Sequence, residues 1–79
     1  MDTYNDISLP VRKRILEDEI QILKNTLYLL SVRVKANKLV GDTNAENEMK
    51  TEIEKIMRKI DFVKNELEKE CGGISENKA

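Results

Sequence analysis

The chain has 79 residues, of which 37% are charged and 4% aromatic; it has no His or Trp, and its net charge is −1. That allows one small domain, marginal on its own unless it packs very regularly or oligomerises, and it gives no overall pull toward nucleic acid or an anionic membrane. The single cysteine, Cys71, excludes an intrachain disulfide, and with no export-type pattern near Met1 it points to a reducing, cytoplasmic setting.

Residues Met1 to Ser8 carry Asp2, Asn5 and Asp6 without periodicity, and a flexible arm is expected over 1–8. Pro10 suits the first turn of a helix, where its missing N–H costs nothing. Apolar residues then recur at steps of three and four, and helix 1 is expected from about 10 to 40. The longest apolar run, Leu27 to Leu30, is far too short for a bilayer, which needs about 20 residues. Gly41 is a natural stop in the left-handed conformation. A turn over 41–43 follows, in which Thr43 and Glu46 have the spacing of a capping box. Helix 2 is expected over about 44–71, ending at Gly72-Gly73, with a disordered tail over 75–79; the hairpin as a whole spans 9–74.

The two helices carry matching seams. Leu16, Ile20, Leu23, Leu27, Leu30 and Val34 alternate in steps of four and three, as do Met49, Ile53, Ile56, Ile60, Val63 and Leu67. Paired in reverse order, Leu16 with Leu67 through Val34 with Met49, the residue numbers always sum to 83. Leu9 and Ile74 would add a seventh layer. The fold expected is all-α: an antiparallel, coiled-coil-like two-helix hairpin that dimerises into a four-helix bundle. Asn37, opposite Glu46, marks where the apolar layers give out.

Charge agrees with that register. Helix 1 carries seven basic and three acidic residues, whereas 42–71 carries six basic and nine acidic. Arg12, Lys13 and Arg14 would lie beside Glu66, Glu68 and Glu70, and Arg33, Lys35 and Lys38 near Glu46, Glu48 and Glu52. Each exposed pair is worth only ~0–1 kcal/mol, so the pattern bears on orientation more than on stability.

Helix 1 has a second apolar stripe: Val11, Ile15, Ile22, Leu29, Ala36 and Val40, about 120° around from the first. Tyr28, Val32 and Leu39 project from a third side, and Phe62 from the back of helix 2. A lone hairpin leaves these side chains in water. Val11, Ile15, Ile22, Tyr28, Leu29, Ala36, Val40 and Phe62 are therefore the candidates for self-association or for binding another protein.

Nothing in the chain has the pattern of a catalytic or metal site. Glu48/Glu52 and Glu66/Glu70 stand at i, i+4 on faces expected to be solvated, and there is no Gly-rich phosphate loop. Cys71 has no His to activate it. No catalytic residue, metal or cofactor is expected.

The stretch Lys50-Thr51-Glu52-Ile53-Glu54-Lys55-Ile56 loosely resembles the Ser-Gln-Glu-Leu-Asp motif of the small sporulation-regulating aspartyl-phosphate phosphatases of spore-forming bacteria. Those proteins are also helical hairpins, and Gly41 lies at a similar distance upstream. Only Glu52 matches outright. Lys50 stands for the Ser, Thr51 for the Gln, and Glu54 for the Asp connected with phosphatase activity. The resemblance implies dephosphorylation of response regulators, but these departures leave no catalytic residue to carry over.

The function expected is that of a small non-enzymatic interaction protein (adaptor, chaperone or regulator) whose partners are a second copy and another protein, with no membrane and no nucleic acid. Two alternatives stand beside it. One is a dimeric four-helix bundle that grips nucleic acid, with Arg12, Lys13 and Arg14 as the basic run. The other is the phosphatase-like hairpin.

Overall fold

The computed structural model describes residues 6–71, as two helices that pack against each other: α1 (Leu9–Leu39) and α2 (Thr43–Cys71). Most of the expected arm, Gly72-Gly73, Ile74 with its seventh layer, the tail, and the side chain of Cys71 lie outside the described residues. Ile7, from the expected arm, is half-buried and shares a shallow groove with Ile15, Leu16, Glu66 and Glu70.

The helices run antiparallel in the expected register. Glu19 and Leu23 share one groove with Arg58, Lys59, Phe62 and Val63, while Lys24 and Leu27 share another with Met57, Ile60, Asp61 and Lys64. Arg12 and Glu70 meet at the open end, Nε to Oε1, at 3.5 Å. Their numbers sum to 82, one step from the seam's 83.

All twelve predicted seam residues are buried or half-buried. Leu23, Leu30, Ile56 and Ile60 form the core, with Leu27, Met49, Ile53 and Val63 packed against it, and Ile20 is buried one turn away. Leu16, Val34 and Leu67 stay half-buried because the seam is open to water at its two ends. Among the described residues no side chain is enclosed on every side. Two rods can only shelter the line along which they touch.

The turn follows from backbone bonding. Val40 closes α1 and Gly41 adopts φ +78°. The N–H of Gly41 donates to the carbonyl of Lys38 (3.2 Å), and that of Asp42 to the carbonyl of Asn37 (2.9 Å). Together these bonds make a Schellman closure, which satisfies carbonyls that a helix end otherwise leaves unpaired. Asp42 at once begins α2. Its carboxylate accepts the Ala45 N–H (3.1 Å) and its carbonyl accepts the Glu46 N–H (3.0 Å).

The expected capping box is therefore displaced. Thr43 is already the first residue of α2, and Asp42 caps the helix. The Schellman closure brings the chain around one residue earlier than the Thr43–Glu46 spacing suggested. An aspartate there also offsets the positive end of the helix dipole. Glu46, freed from capping, reaches Lys50 on its own helix at 3.1 Å. Among the described residues no ion pair joins Arg33, Lys35 or Lys38 to α2.

Ile22 and Leu23 are sequence neighbours but are 56% and 7% exposed. Leu23→Asp buries an unpaired carboxylate and is expected to unfold the hairpin, whereas Ile22→Asp leaves it folded; far-UV circular dichroism of dilute protein distinguishes the two. A Cβ at Gly41 would meet nothing within 4 Å, so Gly41→Ala isolates backbone strain and is expected to cost about 1–2 kcal/mol in urea unfolding. By the same measurement Asp42→Ala costs about 1 kcal/mol, and Thr43→Ala distinctly less.

Candidate interaction surface

The apolar residues of the two helices are distributed differently. Those of α2 are concentrated on the seam, and those of α1 continue around it. The exposed large apolar side chains of α1 include Val11, Ile15, Ile22, Tyr28, Leu29, Val32 and Leu39, with Val40 just past its end; α2 exposes only Met57 and Phe62 in this way among the described residues.

Every member of the second stripe lies on the surface. Ile15 is 51% exposed, Leu29 46% and Val40 74%, and Ala36 is exposed too. The seam on the other side of α1 is used by α2, so nothing within the hairpin covers the stripe. Tyr28, 73% exposed, flanks the stripe, whereas Phe62, also exposed, borders the groove that α2 shares with Glu19 and Leu23.

The stripe is longer and more regular than steps of four and seven indicate. Val11, Ile15, Asp18, Ile22, Asn25, Leu29, Val32, Ala36 and Leu39 alternate in steps of four and three along nearly the whole of α1. This is a second seam of the kind that pairs α1 with α2. Two polar members, Asp18 and Asn25, interrupt its apolar character and hide the repeat from a search for aliphatic spacing. Asn25 accepts a hydrogen bond from the Gln21 amide, Nε2 to Oδ1, at 2.9 Å. The hydroxyls of Thr26 and Ser31 donate to the carbonyls of Ile22 (3.1 Å) and Tyr28 (2.7 Å), so they are satisfied within α1.

The basic run at the start of α1 divides. The Nε of Arg12 is sheltered from solvent and lies in charge contact with Glu70, in a geometry short of a hydrogen bond. Lys13 and Arg14 are exposed. A different basic surface went unread in the sequence: Lys55, Arg58 and Lys69 fall on the flank of α2 that also carries Phe62, where Arg58 and Phe62 border the groove shared with Glu19 and Leu23. The four residues are spaced 3, 4 and 7 apart, and Lys69 among them is paired with Glu66 at 3.4 Å.

The carboxylate pairs do not converge. Glu66 meets Lys69 at 3.4 Å, Glu70 faces Arg12, and among the described residues no three potential metal ligands gather. Within the phosphatase-like stretch, Lys50 pairs with Glu46, the Thr51 hydroxyl donates to the Asn47 carbonyl (3.1 Å), Ile53 packs into the seam, and Glu54 is exposed. No described helix is long and apolar enough to cross a membrane. Comparison with known proteins finds no matching family, no matching curated protein and no matching solved structure.

Titration with RNA and duplex DNA at about 0.15 M salt is expected to give no submicromolar affinity, because acidic residues flank the basic ones on both helices. Tight, salt-sensitive binding that Arg58→Glu abolishes would instead make the Phe62 flank of α2 a nucleic-acid surface.

Proposed function

We propose that this chain is a non-enzymatic helical interaction protein that works by lending the outer face of α1 to another helix. The observation that carries this reading is the second 4–3 seam, which runs the length of α1 and is left in water by the hairpin. Covering apolar area is worth ~25 cal/mol per Å², so several large aliphatic side chains together favour association by several kcal/mol. Self-association into a four-helix bundle is one use of the face, and docking of a helix from another protein, as an adaptor, chaperone or regulator would do it, is the other. A reducing cytoplasm suits the single thiol.

The charged back of α2 gives the reading its direction. Were both helices apolar all round, nonspecific aggregation would be the simpler expectation. Here one face of one helix is apolar and the remaining outer surface is solvated, as in a module with a single docking face.

Sedimentation velocity at micromolar concentration tests the proposal. The native chain is expected to sediment as a dimer, and Ile22→Asp/Leu29→Asp as a monomer with its helicity retained. A native chain that stays monomeric and gains no stability from any helical partner would overturn it.

A further inference from the structure

The outer seam of α1 is close to a palindrome. Ile22 and Leu29, Ile15 and Ala36, and Val11 and Leu39 lie at nearly equal distances on either side of Asn25, their numbers summing to 50 or 51. A helix built this way is complementary to itself when turned end for end. Residue i of one copy then meets residue j of the other, and j meets i, as a two-fold interface requires.

Taking as its premise that the outer face binds a helix, we propose that a second copy of this chain covers it, its α1 lying antiparallel about a two-fold axis at Asn25. The apolar pairs Ile22/Leu29, Ile15/Ala36 and Val11/Leu39 then meet across the axis, and Val32 lies level with Asp18. Asn25 is the polar member at the centre, facing its symmetry mate. A carboxamide both donates and accepts, so two of them can satisfy each other across the axis, and a polar layer at the centre of this sort helps fix register.

Charge selects the orientation. Asp18 and Arg33 are both exposed, and among the described residues neither is engaged in an ion pair. Their numbers sum to 51, so the antiparallel arrangement sets Asp18 of each copy level with Arg33 of the other, with Glu19 adjoining. The parallel arrangement would instead stack Asp18 on Asp18 within the seam. Arg14 level with Lys35 opposes the antiparallel form, but both are long exposed side chains at the rim, where repulsion is screened. In the resulting bundle the two α1 helices form the inner pair. The α2 helices flank them with their polar backs outward, consistent with α2 having a single seam.

Spin labels test the arrangement. In a Cys71→Ser background, Lys13→Cys, Lys24→Cys and Lys38→Cys place labels on one side of α1. About the proposed axis, the 13–13 and 38–38 pairs are offset along the helix by about 36–39 Å and the 24–24 pair by about 3 Å, at 1.5 Å per residue. A distance near its minimum at 24 and much longer at both ends is expected. Charge reversal gives a second readout. Asp18→Arg and Arg33→Asp each weaken the dimer by about fivefold or more, and the double variant restores it. A dimer with three equal distances, or one that the double reversal fails to rescue, overturns the antiparallel axis while leaving α1 as a docking face. A monomer at the labelling concentration, with circular dichroism of an intact hairpin, overturns self-pairing itself, and a helical partner that protects the same face would then sustain only the broader reading.

Discussion

A single line of contact between two helices bears the whole fold. Every buried side chain of the described chain lies on it, and its most protected members, Leu23, Leu30, Ile56 and Ile60, sit near its middle. Two helices have no third element to close the groove, so burial falls off toward both ends and toward both flanks. Most helical stability in a folded protein comes from packing an apolar face rather than from propensity. The seam is thus the reason that either helix persists, and the register of its steps sets where everything else on the surface appears.

The reversal at Gly41 makes that register unique. The Schellman closure and the Asp42 cap use consecutive residues, so the end of one helix and the start of the next are coupled within the same few hydrogen bonds. A longer or looser connection would let α2 slide along α1 by a turn with little change in the apolar pattern, because a heptad seam nearly repeats itself. A short, fully bonded turn removes that freedom. At the other end, the charge contact between half-buried Arg12 and Glu70 suits the same alignment, though a surface pair short of a hydrogen bond adds little to stability.

The surface consequence is an imbalance between the helices. α2 satisfies its apolar residues on α1, whereas α1 has a second seam with nothing on it. On the proposed reading, the polar insertions in that seam, Asp18 and Asn25, would lower its affinity for arbitrary apolar matter and make the identity of the occupant matter. Such a face would gain selectivity where a purely aliphatic one would gain only stickiness.

The sequence by itself determined the two helices, their antiparallel pairing and all twelve seam residues, because steps of three and four place side chains on one face whatever the surroundings, and two such faces with reversed spacing have one good way to meet. It also determined that Val11, Ile15, Ile22, Leu29, Ala36 and Val40 would be left outside. Tertiary structure decided the details that depend on where the chain turns. Thr43 and Glu46 have the spacing of a cap, but the Schellman closure carried Asp42 into that position first, and Glu46 turned to Lys50 instead. Likewise Arg33, Lys35 and Lys38 share a net sign opposite to that of the facing helix without forming ion pairs to it, since long side chains near a solvated turn gain little from being held. Only with α2 seated on one side of α1 did the opposite side, with Asp18 and Asn25 among its apolar residues, become visible as a second continuous seam.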